Sequence, residues 1–207
     1  VEYGRQRGRS HGDSLNGTAV IAGMFAQAGH RVSARSALSP AIETADVIVW
    51  FPDDFHLPRP EVRRWFENWL RSGRRRTLVY VGRDFDAEPL YWQKAIAKAP
   101  PEAREELRKR LEAAKERVAL QGAWSETIDV AKSEIELNDR LTVEASDEQL
   151  LYTDDSAVVS RVKRVQFGDG ALFVVQNGSF LLNLPLVNRE HRRLAAELIE
   201  AVEVQSG

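Results

Sequence analysis

Two short apolar runs, DVIVWF at 46–51 and TLVYVG at 77–82, limit the architecture of this chain more than any other feature. Each is too short for a helix, continuous rather than alternating, and rich in β-branched and aromatic residues, so each reads as a strand buried on both faces. Between them, PRPEVRRWFENWLRSG places Val62, Trp65, Phe66, Trp69 and Leu70 at i, i+3, i+4, i+7 and i+8, which is one face of a helix. Pro60 sits near its first turn and Gly73 at its exit. A strand that returns through a helix to a second strand requires a crossover connection, and crossovers of this kind make neighbouring strands parallel.

The rest of the chain extends the pattern and then interrupts it. Residues 14–28 predict a helix with Val20, Ile21, Met24 and Phe25 on its apolar side, stopped by Gly29, and 31–35 (RVSAR) predict a short strand. The first 85 residues thus alternate helix, strand, strand, helix, strand. The expected fold is a three-layer α/β/α arrangement on a mainly parallel sheet. Residues 87–156 break the alternation as a long, largely helical insertion. Within it, a helix around YWQKAIAKA is divided by Pro100 and Pro101 from a charged helix with an apolar stripe of Leu107, Leu111, Ala114 and Val118. A stretch of weak periodicity follows, and the insertion is expected to pack on or cover the edge of the sheet. A C-terminal β-hairpin is expected at 157–176, where AVVSRVKRVQF and ALFVVQ flank Gly168, Asp169 and Gly170. A last helix over 187–203 turns Val187, His191, Leu194, Leu198 and Val202 inward. Residues 1–207 are read as one α/β domain carrying that insertion.

Charge and cysteine usage narrow the function. The net charge of −2 gives no overall positive field to attract nucleic acid. The local basic runs Arg5/Arg7/Arg9, Arg74–Arg76 and Arg108–Arg110 read as solvated faces and turns, because acidic residues flank most of them. Cysteine is absent, which removes disulfides, thiolate metal sites and a thiol nucleophile together. No apolar run reaches the roughly 18 residues that a membrane-spanning helix needs. The start at Val1 rather than Met suggests a domain excised from a longer protein.

In an open parallel sheet, ligands sit beyond the carboxyl ends of the strands, which singles out four loops. They carry Ser14, Asn16 and Thr18; Asp53, Asp54 and His56; Arg83, Asp84 and Asp86; and Asn177 and Ser179. In GDSLNGT (12–18) neither the GxxxxGK[ST] nor the GxGxxG spacing is present. Ser14 or Asn16 is therefore read first as an N-cap, with anion capture at that helix terminus as the second reading. The aspartates could converge on a hard cation but read more readily as caps and turn formers. The four histidines show neither HxH nor HExxH spacing, and NGSF at Asn177–Phe180 lacks the second glycine of a nucleophile elbow. No catalytic residue, cofactor or metal is expected.

Four pieces of the sequence, YGRQRGRSHGDSLNGTAVIAGMFAQAGHRV, ADVIVWFPDDF, GRRRTLVYVGRDFDAEPLYW and FGDGALFVVQNGSFLLNLPLVNREHRRLAAELI, carry a resemblance. In their order the chain resembles the DUF4350 domains of bacterial membrane-associated proteins, which look like divergent members of the class I glutamine amidotransferase-like, flavodoxin-like superfamily. An amidotransferase would place a Gly-x-Cys-x-Gly elbow after TLVYVG, yet this chain continues Arg83, Asp84, Phe85. The resemblance implies a fold retained and a reaction lost. It also implies membrane attachment through flanking segments, an extracytoplasmic position for the soluble domain, and protein partners in a membrane-associated complex, since family genes often lie near those of MoxR-type ATPases and von Willebrand A-like proteins.

Two functional readings follow. One is a non-catalytic binding or scaffold domain of a membrane-anchored bacterial protein. The alternative is a small-ligand, anion or metal sensor, or a hydrolase-like enzyme, using Ser14, Asn16, Thr18, Asp53, Asp54, His56, Arg83, Asp84 and Asn177. Trp50, Trp65 and Trp69 are expected in the core, and Tyr91 and Trp92 either there or as anchors for a partner.

Overall fold

The computed structural model describes residues 14–52, 58–83, 85–121, 148–153, 156–162, 167–175 and 178–206. The five-stranded sheet has the order β1-β2-β5-β4-β3, with β1 at Val47–Trp50, β2 at Thr77–Val81, β3 at Glu148–Thr153, β4 at Ser156–Val162 and β5 at Ala171–Val175. β1, β2 and β5 run parallel, in a register that sets Val47 beside Thr77 and Thr77 beside Ala171. β4 pairs antiparallel with β5, as expected of the C-terminal hairpin, and β3 pairs antiparallel with β4.

Side-chain alternation along the strands divides the core into two layers. Val79 and Val81 of β2 and Ala171, Phe173 and Val175 of β5 face α1 (Ala19–Gln27) and α5 (Arg189–Ser206), meeting Ile21, Phe25, Leu194, Leu198 and Val202. Leu78, Leu172 and Val174, with Ile48 and Trp50 of β1, face α2 (Pro60–Arg71), meeting Val62, Trp65, Phe66, Trp69 and Leu70. The expected three-layer α/β fold is thus present, with the tryptophans of α2 and β1 in its core.

β2 is buried at all five positions, because it has a strand on each side and a helix layer on each face. β1 departs from the expectation of full burial. Among the described strands it bonds to β2 alone and lies at the edge of the sheet, and it is half-buried throughout. The RVSAR stretch forms no strand: residues 31–35 are irregular and exposed, and Val32, at 47% exposure, has no apolar face to join.

Helix boundaries follow local chemistry. α1 begins at Ala19 rather than at 14, because Ser14–Gly17 close a turn through the Gly17 N–H donating to the Ser14 carbonyl at 2.9 Å. It ends as expected at Gly29, whose φ of +98° is the left-handed conformation that only glycine adopts cheaply. At the end of α2, the Arg76 guanidinium donates to the Trp69 carbonyl at 3.0 Å, the Ser72 hydroxyl at 2.6 Å and the Glu43 carbonyl at 2.7 Å. It satisfies a last-turn carbonyl while placing positive charge at the negative end of the helix dipole. Val187 is not turned inward but is 60% exposed in a single 3-10 turn before α5, whereas His191, Leu194, Leu198 and Val202 are buried as expected.

The expected insertion contains α3 (Glu88–Lys98) and α4 (Pro101–Gln121), which pack on each other through Trp92, Leu111 and Ala114. Trp92 is only 4% exposed, so its part is internal. The weakly periodic stretch expected as part of a largely helical insertion instead includes β3, the outer strand of the sheet. Its register against β4 shifts between Gln149 and Tyr152.

Phe173 is fully buried at the centre of β5. Its replacement by alanine is expected to cost about 3–5 kcal/mol through lost transfer energy and an unfilled cavity, read as a fall in the urea midpoint at an unchanged slope.

Candidate functional site

The carboxyl ends of β1, β2 and β5 meet along one edge of the sheet, and the chain leaving β2 there is enclosed. The Gly82 N–H donates to the Val175 carbonyl at 2.8 Å, and the Gly178 N–H donates to the Gly82 carbonyl at 2.6 Å, so the loops after β2 and β5 extend the ladder beyond the strands. A Cβ at Gly178 would lie 2.3 Å from Val81 Cγ1 and 3.2 Å from the Gly82 carbonyl oxygen. Only glycine allows this approach of the two backbones.

Beyond Gly82 the chain stays inside the protein. Phe85 is 1% exposed, and its N–H donates to the hydroxyl of fully buried Ser179 at 3.0 Å. Arg83 ties the exits of two strands together, donating to the Pro52 carbonyl after β1 at 3.2 Å and to the Phe85 carbonyl at 3.1 Å.

Asp86, 5% exposed, accepts the Glu88 N–H at 2.8 Å and the Asn16 side-chain amide through the same oxygen. The other end of that amide, Asn16 Oδ1, accepts the Ala87 N–H at 2.7 Å. The first turn of α3 is therefore capped jointly by its own preceding aspartate and by an asparagine 71 positions upstream. One turn on, the buried Glu88 carboxylate accepts the Trp92 indole N–H at 3.2 Å and the Arg117 guanidinium of α4 at 2.5 Å. That pairing offsets the cost of burying its charge.

The opening loop is held in the same manner. Asn183 Oδ1 accepts the Val20 N–H in the first turn of α1 at 2.9 Å, Asn183 Nδ2 donates to the Ser14 carbonyl at 2.7 Å, and the Asn183 N–H donates to the Gly17 carbonyl at 2.9 Å. Neither Ser14 nor Asn16 caps α1, as the sequence suggested. Thr18 holds the N-cap position without a side-chain cap bond, and Asn183 supplies the acceptor from across the fold. Thr18 needs no cap of its own because the loop after β5 already provides one.

Of the candidate ligand residues, the fold gathers Ser14, Asn16, Thr18 and Arg83 at this edge. Asp53, Asp54, His56, Asp84 and Asn177 lie outside the described residues. Among the described residues, no group of three or more histidine, aspartate or glutamate side chains could hold a metal ion. Sequence reasoning read Asp86 with the other aspartates as a cap or turn former before a cation ligand, and it does cap α3; it set aside Ser179 as a nucleophile and missed Glu88 and Asn183. A usable signal did exist for Asn183, the one amide within the apolar run FLLNLPL.

Fold and site define an α/β protein whose strand-end loops are locked together by side-chain capping. The family described as "Domain of unknown function (DUF4350)" matches residues 11–199, and the chain belongs to it. No curated protein and no solved structure matches the chain. No helix among the described residues is long and apolar enough to cross a membrane.

Removing the shared caps should loosen the fold locally. Asn16→Ala and Asn183→Ala are each expected to lower stability by about 1–2 kcal/mol, measured by chemical denaturation. Gly178→Ala should cost about 1–3 kcal/mol by overpacking, with the unfolding midpoint as the readout.

Proposed function

We propose that this is a non-catalytic binding or scaffold domain of a membrane-anchored bacterial protein, with an amidotransferase-like fold that lacks the catalytic cysteine. In this reading residues 1–207 form one α/β domain, positioned outside the cytoplasm and held at the membrane by segments beyond it, and its partners are proteins rather than nucleic acid.

The observation that carries the reading is the engagement of the described polar side chains around the corner after β2. A nucleophile or general base needs a lone pair directed into a space that substrate can enter. At this corner Phe85 is buried, and of the described residues Asn16, Arg83, Asp86, Ser179 and Asn183 are engaged with backbone groups or with each other. The thiolate route to glutamine hydrolysis also has no nucleophile, since the chain contains no cysteine.

The α3–α4 pair supports a docking role. The outer face of α4 presents Glu105, Arg108, Lys109 and Glu112 to solvent, with Arg108 paired to Glu105 at 3.7 Å and Lys115 to Glu112 at 3.0 Å. Such pairs contribute little to stability.

The test is purification of the full-length protein from its native membrane. A protein partner is expected to co-purify, to be lost on reversing charge at Arg108 and Lys109, and to be retained in Arg64→Ala on the exposed side of α2. Reproducible turnover of a small substrate, abolished by changing one strand-end loop residue, would overturn the reading.

A further inference from the structure

At the other end of the sheet, where β2 and β5 begin, an open cleft of about 1000 Å³ is lined by Arg74, Arg75, Arg161, Asp169, Val204 and Gln205. Its three guanidinium groups come from two parts of the fold. Arg74 and Arg75 stand in the turn between α2 and β2, and Arg161 stands near the end of β4. Arg161 donates to Gln205 Oε1 at 3.4 Å, which places it beside the C-terminal turn of α5. Arg74 and Arg75 are exposed, and no described carboxylate pairs with either.

The backbone supplies a second, independent observation. Arg75 is the one non-glycine residue with positive φ among those described, at +53°. Glycine takes this conformation without steric cost, and asparagine or aspartate with little, whereas a long side chain is rarely found there. The exposed Arg75 side chain packs into no part of the core, so the fold has no use for its bulk. A guanidinium held on the wall of a cleft at the cost of an unfavourable backbone conformation is placed to meet a ligand rather than to support the core.

The lining also distinguishes between ligands. A small organic molecule calls for an enclosed, mostly apolar pocket, and this cleft is open and charged. An inorganic polyphosphate would satisfy the arginines but offers no donor to the Asp169 carboxylate. An acidic peptide has carboxylates for the guanidinium groups, backbone N–H groups for Asp169 and Gln205, and apolar side chains for Val204, which is 76% exposed.

Resting on the protein-binding reading above, we propose that this cleft receives an acidic, apolar-interrupted segment of a protein partner, with Arg74 and Arg75 as its specificity-determining contacts.

The test is titration of the domain with a fluorescently labelled peptide of alternating glutamate and leucine, followed by anisotropy at low and at high ionic strength. Saturable binding that weakens with salt is expected. Arg75→Gly should weaken it about tenfold or more while raising the thermal midpoint, because the strain leaves with the side chain. Arg64→Ala should change neither. Absence of saturable binding, binding unaffected in Arg75→Gly, or tighter binding of inorganic tripolyphosphate than of the peptide would overturn the proposal. If the full-length protein keeps a co-purifying partner that changes at Arg74 and Arg75 do not release, this inference falls and the binding reading stands. Enzymatic turnover at the opposite edge, with peptide binding intact, would remove the non-catalytic reading alone.

Discussion

The structure depends on how β2 ends. A strand buried on both faces and paired on both sides delivers its chain into the interior, where backbone N–H and C=O groups have no water to bond. Each such group must be satisfied by protein, and four segments distant in sequence converge to do so: the loop at 14–18, the exit of β1 at Pro52, the loop from Gly82 to Ala87, and the turn at Gly178–Asn183. The bonds are short in space and long in sequence, so the loops are ordered together with the sheet rather than independently of it.

That constraint bears directly on function. In open α/β sheets the same edge holds ligands because loop groups there are left available. Here Asn16 and Asn183 cap helices other than their own neighbours, Asp86 caps the helix that follows it, and Phe85 is buried. The first turns of both α1 and α3, which could have bound an anion through free N–H groups, already have acceptors. The described polar residues at this edge are held by one another and by the backbone, while charged groups face solvent on the helices and at the opposite end of the sheet.

The arginine run at 74–76 shows how one local pattern can divide its roles. Arg76 closes α2 through three hydrogen bonds and lies over the Trp69 ring with its guanidinium carbon 5.2 Å from the ring centre. Arg74 and Arg75, two residues and one residue earlier, are exposed beside the cleft. Composition treats the three alike; a single turn of backbone separates a structural group from two available ones.

The sequence by itself determined the strand-helix-strand unit of β1, α2 and β2, the apolar face of α2, the stop of α1 at Gly29, the inward face of α5 and the β4–β5 hairpin. These features depend on periodicity or on intrinsic backbone preference, which neighbouring residues express locally. Tertiary structure alone decided that β1 lies at an edge, that 31–35 have no sheet to join, that β3 extends the sheet beyond β4, and that Asn16 caps α3 while Asn183 caps α1. Whether a strand is central and which amide meets which helix end depend on segments brought together from opposite ends of the chain, and a linear pattern holds no record of that distance.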